Sequence, residues 1–325
     1  MRMVQETSLP ASRRDGFTLV EVLVVMMIIA ILAGLAIGLL GTAGQQARIV
    51  RTKTLLKRMD DLVQAKLRDI DNDKSFSTKL ATFRDAMQGV SLTNSSNVEA
   101  SDKVYAIVAR KCLYRRALPV QTSDLNGWDT TNAWDDSPVK TMGGITSIVN
   151  EQDQACALFA ALCPDGQVPE GISTDMVATS TSSATSGKLM FVDAWGKPIR
   201  FYLWPIRLIY GTSPAIPPPA ASFANAQTLI AGLPAASDRL FKSDPSDPNG
   251  LIKQHRYKTA SMSMPQAIDA SNLHDLGFYS QFLLVSPGPD GALGLLEPSS
   301  GSSAHECVVS DAAVLNDNIT NRQGK

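Results

Sequence analysis

The first 70 residues carry the clearest hydrophobic pattern in the chain. Residues 17–40 are almost purely apolar, and no charged residue occurs between Val22 and Ala47. A helix rises about 1.5 Å per residue, so this segment would extend about 36 Å. That length is enough to cross a hydrocarbon core of about 30 Å with some tilt. The pattern therefore predicts a transmembrane helix over residues 17–40.

A secretory signal peptide is the main alternative for this segment. Ala33, Gly34 and Ala36 could serve as a small-residue cleavage site. The apolar run is longer than the roughly 7 to 15 residues of a signal-peptide core, and it continues without a turn signal into residues 45–69. One continuous helix is the simpler interpretation.

Residues 45–69 continue the helical pattern with a narrower apolar stripe. Apolar positions recur at spacings of three and four, and basic residues occupy the other face. No strict heptad is sustained, which argues against a coiled coil. We therefore expect residues 41–72 to be the soluble half of one long helix, with the stripe packed on a sheet. The stripe consists of Ile49, Leu55, Leu56, Met59, Leu62, Val63 and Leu67.

Further helices and loops are predicted for residues 73–187, an insertion in the head of the molecule. Residues 78–88 and 103–118 have helical patterns, whereas residues 173–187 are rich in serine and threonine and are expected to be a loop. The second helix has a basic side, which we interpret as solvent-exposed; binding of an anionic partner is the alternative. That side consists of Arg110, Lys111, Arg115 and Arg116.

Short strand-like runs mark residues 188–325, and each is bounded by glycine, proline, aspartate or asparagine. The connection over residues 193–198 contains a glycine and a proline, which suit a tight hairpin between the first two runs. The pattern predicts an antiparallel β-sheet in this region. The runs are residues 188–192, 199–204 and 281–285.

Composition excludes some functions. The chain has 325 residues, of which 44% are hydrophobic, enough for a real core. Its 30 basic and 31 acidic side chains nearly cancel, so it lacks the positive surplus of a non-specific nucleic-acid binder. A nucleic-acid partner is not expected.

The four cysteines do not have the spacing of a metal site, so we do not expect zinc. If the body of the protein is exported, disulfides become permissible, and Cys156 and Cys163 are the closest pair in sequence. Four small, buried, unpaired side chains are the alternative.

Catalytic chemistry has little support in the sequence. None of the three histidines lies in an H-E-x-x-H frame, and no nucleophile elbow or phosphate-binding loop occurs. The segment His305-Glu306-Cys307 combines a base with a thiol, but it lies beside a serine-rich tract that is expected to be a loop. We predict that the chain is not an enzyme.

Glu21 is the one charged residue within the apolar segment. At the bilayer centre a lone carboxylate would cost on the order of 2.5 to 3.5 kcal/mol, so this charge needs a partner. The surrounding residues read Arg13-Arg14-Asp15-Gly16-Phe17-Thr18-Leu19-Val20-Glu21. This sequence resembles the prepilin cleavage and methylation motif of type IV pilins and type II secretion pseudopilins.

The resemblance implies how the N-terminus is processed. A membrane peptidase would cut after Gly16 at the cytoplasmic face and methylate the new N-terminal amine of Phe17, so residues 1–16 would be a leader. Glu21 would neutralise the N-terminal amine of a neighbouring subunit as a filament assembles. Such a pairing supplies the opposite charge that a carboxylate in a low dielectric requires.

Two segments near the C-terminal end resemble the major pseudopilins of type II secretion. Residues 193–201, Asp193-Ala194-Trp195-Gly196-Lys197-Pro198-Ile199-Arg200-Phe201, are similar to their D-x-W-G-x-P-x-x-Y element, with phenylalanine in place of tyrosine. Residues 284–291, Leu284-Val285-Ser286-Pro287-Gly288-Pro289-Asp290-Gly291, are similar to their S-x-G-x-D-G element. The family resemblance implies a calcium-binding C-terminal loop. Its carboxylate ligands would come from Asp290, Asp317 and Asp311.

Calcium takes 6 to 8 oxygen ligands, so Asp290 alone would not suffice. The alternative for residues 287–291 is a plain turn in which Asp290 caps its own backbone.

Pattern and resemblance together predict an α+β pilin fold, with a long N-terminal helix packed on an antiparallel sheet and large insertions in the head. The predicted function is a filament subunit of a type II secretion system. Expected partners are copies of itself, other pseudopilins, a prepilin peptidase and an inner-membrane assembly platform. We expect a single-pass inner-membrane protein of bacteria with its body in the periplasm. A type IV pilus subunit for adhesion or DNA uptake, and a tethered binding protein that never polymerises, are the alternatives.

Overall fold

The computed structural model describes residues 17–74, 76–78, 80–81, 92–94, 102–125, 143–210, 219–233, 255–257, 281–297 and 307–323. The chain divides into two compact units, Met1–Ala47 and Arg48–Lys325. All strands and the hydrophobic core that the structure describes belong to the second unit. The leader over residues 1–16 and most of the helix predicted over residues 78–88 lie outside the described residues.

Helix α1, Leu19–Asp71, is 53 residues long and uninterrupted, as the helical pattern predicted. In the first unit, the side chains of residues 17–34 are all exposed. Within the part of the chain that the structure describes, no helix has the length and apolar character needed to cross a membrane. The transmembrane helix over residues 17–40 therefore stays a prediction.

In the second unit, α1 buries four residues of the predicted apolar stripe and two polar side chains beside them, and the other three stripe residues are partly buried. The hydroxyl oxygen of Thr52 accepts a hydrogen bond from the backbone N–H of Ala194 at 3.2 Å. Oδ1 of Asp60 accepts one from the side-chain amide of Asn321 at 2.6 Å. These bonds fix α1 to the C-terminal half of the chain. The buried residues of this face are Thr52, Leu55, Leu56, Met59, Asp60 and Val63.

The strands form three small antiparallel sheets, so the mixed α+β character is confirmed. Strand β1 (Leu92–Asn94) pairs with β5 (His255–Tyr257), and β2 (Val177–Thr179) pairs with β3 (Leu189–Phe191). The third sheet has the order β4-β6-β7 and consists of β4 (Arg200–Tyr202), β6 (Leu283–Ser286) and β7 (Ile319–Thr320).

The predicted hairpin between residues 188–192 and 199–204 is only partly formed. Its two strands, β3 and β4, belong to different sheets, and the chain segments meet at a single bridge between Val192 and Pro198. Proline has no N–H to extend a ladder, and β4 instead pairs along its length with β6. The tight connection was predicted correctly, whereas a regular two-stranded hairpin was wrong.

Helices surround these sheets. They are α2 (Asp102–Ala117), α3 (Thr122–Leu125), α4 (Glu151–Leu162), α5 (Ile206–Tyr210) and α6 (Ala220–Leu229), with 3₁₀ turns at Thr174–Met176 and Ala312–Asp317. The predicted helix over residues 103–118 corresponds to α2. The sequence pattern did not identify α4, although Asn150 caps it by accepting hydrogen bonds from Gln152 and Asp153 at 3.0 Å.

Three of the four residues on the basic side of α2 are buried, which corrects the sequence interpretation, whereas Arg110 is partly exposed. Lys111, Arg115 and Arg116 are only 1%, 3% and 6% exposed. Arg115 forms a buried ion pair with Asp124 of α3, with Nη2 2.7 Å from Oδ1. The ammonium of Lys111 lies 5.5 Å from the ring centre of Trp204. The sequence pattern predicted a solvent-exposed face because it does not reveal these partners. Trp204 is distant in sequence from Lys111, and Asp124 lies in a helix of only four residues.

All four cysteines are buried and unpaired. Cys156 lies in α4 and Cys163 is its C-cap, so their Cα atoms are separated by about 10 Å along the helix axis. A disulfide needs Cα atoms roughly 4.4 to 6.8 Å apart. The closest pair in sequence therefore cannot form a bridge while α4 is intact.

Candidate functional site

Thr18 and Glu21 close the N-terminus of α1 with reciprocal hydrogen bonds. The backbone N–H of Thr18 donates to Oε2 of Glu21 at 2.8 Å, and the Thr18 hydroxyl donates to the same oxygen at 2.9 Å. In return, the N–H of Glu21 donates to Oγ1 of Thr18 at 3.3 Å. The first helical bond runs from the N–H of Val22 to the Thr18 carbonyl at 3.2 Å. This arrangement is a capping box, which satisfies N–H groups that a helix start otherwise leaves unpaired.

Of the predicted processing and assembly residues, the structure describes Phe17 and Glu21. Phe17 precedes Thr18 directly and its side chain is exposed, while Gly16 lies outside the described residues. The sequence analysis identified Glu21 but not its partner. The signal was present, because Thr18-Leu19-Val20-Glu21 is a T-x-x-E sequence immediately before an apolar run.

Asp193 joins the two segments that resemble pseudopilin elements. Its Oδ2 accepts a hydrogen bond from the Ser286 hydroxyl at 2.7 Å. Its Oδ1 accepts from the N–H groups of Trp195 and Lys197, both at 2.9 Å. Ser286 in turn accepts from the N–H of Gly288 at 3.1 Å. The buried carboxylate therefore holds the turn after β3 and the loop after β6 in contact.

Gly288 brings this loop against the segment that leads into β7. It has a positive φ of 73°, and a Cβ atom at this position would lie 2.2 Å from the carbonyl oxygen of Asp317. A side chain here would be strained by the backbone conformation and would also clash. Glycine is therefore required for the loop to pack as it does.

Two of the three predicted calcium ligands lie together. The N–H of Asp290 donates to Oδ2 of Asp317 at 3.4 Å. Partial burial raises the pKa of Asp317, and the neighbouring Asp290 carboxylate raises it further. Oδ1 of Asp290 also accepts from the N–H of Ala292 at 2.7 Å, which is the local capping bond expected of a plain turn.

The third predicted ligand, Asp311, is engaged elsewhere. Its Oδ1 accepts from the N–H of Ala313 at 2.9 Å and caps the 3₁₀ turn Ala312–Asp317. Among the residues that the structure describes, no group of three or more histidine, cysteine, aspartate or glutamate side chains is placed to hold a metal ion. The Asp290–Asp317 pair offers two carboxylates of the hard oxygen type that calcium prefers, and calcium binding stays a prediction.

The thiol of the segment His305-Glu306-Cys307 is deeply buried. Cys307 is fully inaccessible, and burial raises its pKa well above the usual range, which disfavours the nucleophilic thiolate. His305 and Glu306 lie outside the described residues.

Comparison with known proteins identifies the N-terminal segment. The profile of the prokaryotic N-terminal methylation motif matches residues 11–37, a range that contains Gly16, Phe17, Thr18 and Glu21. No curated protein and no solved structure matches the chain. The motif covers the predicted cleavage site and the start of α1, and it indicates a type IV pilin-like prepilin, a protein that prepilin peptidase processes.

Proposed function

We propose that the chain is a membrane-anchored subunit of a type IV pilus-like filament. The observation that supports this best is the position of the methylation motif. It coincides with the start of a 53-residue helix whose first residues, 17–34, are all exposed. A prepilin peptidase would remove residues 1–16, and the apolar part of α1 would then anchor the subunit.

The exposed apolar surface of α1 requires a cover. Burying one large aliphatic side chain is worth about 1.5 to 3 kcal/mol, and residues 17–32 present many such side chains to solvent. Lipid supplies the cover while the subunit is stored in the membrane. Helices of other subunits supply it after assembly, so the same surface serves both states.

Glu21 is the assembly residue in this proposal. No other charged residue occurs between Phe17 and Ala47. A carboxylate that enters an apolar filament core needs a positive partner, because an unpaired charge is costly in a low dielectric. The methylated N-terminal amine of a neighbouring subunit provides that charge.

The finer assignment is a pseudopilin of a type II secretion system, which assembles with copies of itself and other pseudopilins on an inner-membrane platform. The contact between Asp193 and Ser286 supports it, because the two pseudopilin-like segments form one packed unit. A type IV pilus subunit shares the same N-terminal features and is the second candidate. A tethered protein that never polymerises would have no need of Glu21.

Calcium binding at Asp290 and Asp317 is part of this proposal. The two carboxylates lie together, with the N–H of Asp290 3.4 Å from Oδ2 of Asp317, and a divalent cation would offset the repulsion between them. Backbone carbonyl oxygens of the loop would have to supply the remaining ligands.

The proposed function is tested with Glu21→Ala in cells that carry an assembly platform and a prepilin peptidase. We expect the variant to be inserted and processed but to form no filaments, as seen by shearing and electron microscopy. Glu170→Ala, which changes an exposed glutamate of the head, is the matched control and should assemble normally. Filaments of Glu21→Ala at wild-type yield would show that the pairing role is wrong.

A further inference from the structure

We propose that an apolar pocket between α4 and β3 receives the side chain of Leu296 from a second copy, so that the heads of neighbouring subunits join through two different surfaces. This inference rests on the proposed filament function and adds to it a specific contact between heads. The apolar segment of α1 does not imply that contact.

The pocket has an apolar lining and a volume of about 180 Å³. Ile145, Phe159 and Cys163 are buried, whereas Pro164 and Gly166 at its rim are exposed. Burial raises the pKa of the Cys163 thiol to about 11, so at neutral pH this thiol is uncharged and acts as a small apolar group. The apolar side chains that line the pocket are Ile145, Cys156, Phe159, Ala160, Cys163 and Leu189.

The size and chemistry of the pocket favour a side chain over a cofactor. Ligand pockets usually measure roughly 300 to 1,000 Å³ and contain polar groups that orient the ligand. Here the ammonium of Lys188 donates to the carbonyl of Gly143, and the Cys156 thiol donates to the carbonyl of Lys188 at 3.8 Å. An apolar cavity of about 150 Å³ accommodates benzene, so this pocket has room for one branched aliphatic side chain.

Leu296 presents such a side chain from a fixed backbone. Its N–H donates to the Val308 carbonyl at 2.8 Å, and its carbonyl accepts from the Tyr202 hydroxyl at 2.6 Å. The side chain is nevertheless 44% exposed. Because the backbone is already held on both sides, burying this side chain in a partner costs little further conformational entropy.

Val149 is the other large apolar side chain outside α1 that the structure describes as exposed. It lies between Ile145 and α4, in the segment that itself forms the pocket. Leu296 follows β6 and does not line the pocket. Leu296 is therefore the better candidate for a contact that joins two different surfaces.

A contact between the pocket and Leu296 suits a filament. Each copy would engage one neighbour through its pocket and another through Leu296. Contacts between unlike surfaces build rings or open helical filaments, whereas a self-complementary patch closes into a pair. Interface energy is concentrated in a few anchors that fill pockets, so one leucine contributes measurably beside the packing of α1.

Two substitutions remove the contact from opposite sides. Leu296→Asp places a charge on the anchor, and Ala160→Phe fills the pocket from α4. Losing the burial of one leucine weakens a contact by about tenfold or more, so we expect each variant to lower filament yield about tenfold. The double variant should lower it no further, since both changes remove one interaction.

Leu296→Met keeps an apolar anchor and is the matched control, which should assemble like the wild type. N-terminal mass spectrometry should show normal processing of all variants. Their Tm as full chains in detergent should equal that of the wild type, which separates a lost contact from a damaged fold.

Cysteine cross-linking of assembled filaments identifies the occupant of the pocket. With Leu296→Cys and Ala160→Cys in one chain, mild oxidation should give a ladder of covalent multimers on a non-reducing gel. Glu170→Cys combined with Ala160→Cys, which places the second thiol at an exposed polar position, should give no ladder.

Wild-type filament yields for Leu296→Asp and Ala160→Phe, with Glu21→Ala still defective, would overturn this contact while the filament function stands. A cross-linked product that contains a different protein would assign the pocket to another subunit and would also overturn it. A wild-type chain that forms no filaments would instead remove the proposed function itself.

Discussion

Asp193 shows how much one buried side chain contributes to the fold. Its two oxygens accept three hydrogen bonds, from Ser286, Trp195 and Lys197. Asp193→Ala would remove three hydrogen bonds to a buried carboxylate, and we expect it to lower the free energy of unfolding by about 2 to 4 kcal/mol. Urea unfolding of the full chain in detergent measures the change. The control Asp165→Ala removes an exposed aspartate and should change stability by less than about 0.5 kcal/mol; similar losses for both would contradict the bridging role.

Asp317 makes stability depend on pH. Its pKa is raised in the folded state, mainly by partial burial and further by Asp290, so ionisation of this group opposes folding. Its contribution is most favourable below the ordinary aspartate pKa and is lost as the pH rises through the folded pKa. Without calcium, Asp317→Asn should therefore give a small increase in Tm at pH 7 and little change at pH 3.

With calcium bound at the proposed site, the Asp317 carboxylate should raise the Tm at pH 7, whereas without calcium it should lower it. Added calcium should raise the Tm of the wild type at pH 7, and Asp317→Asn should abolish that rise. Asp311→Asn is the matched control, because the carboxylate of Asp311 caps the start of the 3₁₀ turn Ala312–Asp317, whereas Asp317 lies at its end. Thermal unfolding with calcium and with a chelator distinguishes the cases; identical curves for the wild type would leave the plain turn at Asp290 as the account of this loop.

The role of a single residue was predictable from sequence where its signal lies in neighbouring residues. Glu21 was identified because a lone charge in an apolar helix is conspicuous, and the T-x-x-E sequence would have identified Thr18 as well. Asp193 was noted as part of a motif, but its partner Ser286 lies 93 residues further along the chain. A hydrogen bond across that separation leaves no local pattern.

At the scale of elements, α2 depends on the ion pair between Arg115 and Asp124. Oδ1 of Asp124 accepts from Nε of Arg115 at 2.9 Å, and Oδ2 accepts from the N–H groups of Val120 and Gln121. Asp124→Ala would remove the carboxylate that faces a buried guanidinium and accepts from two backbone N–H groups, and we expect a loss of about 3 to 5 kcal/mol.

The matched control for this pair is Asp175→Ala. Asp175 pairs with Arg51, but both side chains are about half exposed, so its loss should cost less than about 1 kcal/mol. Chemical unfolding of the full chain compares the two variants. An Asp124→Ala variant as stable as Asp175→Ala would mean that water reaches Arg115 and that α2 is not fixed in this way.

Elements were predictable where spacing alone determines them. The stripe of α1 follows the spacing of three and four, so its buried face was identified correctly. The serine- and threonine-rich segment 173–187 was predicted to be a loop, but it contains the 3₁₀ turn Thr174–Met176 and strand β2, and its attachment to α4 was not predicted. There Oε1 of Gln152 accepts from the N–H groups of Thr181 and Ser182 at 2.9 and 3.2 Å. Such side-chain contacts depend on tertiary packing, which the spacing of apolar residues along the sequence does not reveal.

The whole molecule combines an exposed apolar helix segment with a packed α+β head. The head has its own core, formed from α1 after residue 48, the sheets and the surrounding helices. None of the exposed residues 17–34 belongs to that core. In the proposed function, a membrane and later a filament would cover this surface.

The most direct test of this account is intact-mass and N-terminal peptide mass spectrometry on the protein purified from membranes of cells that contain a prepilin peptidase. The account predicts a chain that begins at Phe17 and carries one additional methyl group on its N-terminal amine. A chain that begins near Ala36, or one that retains Met1, would contradict it.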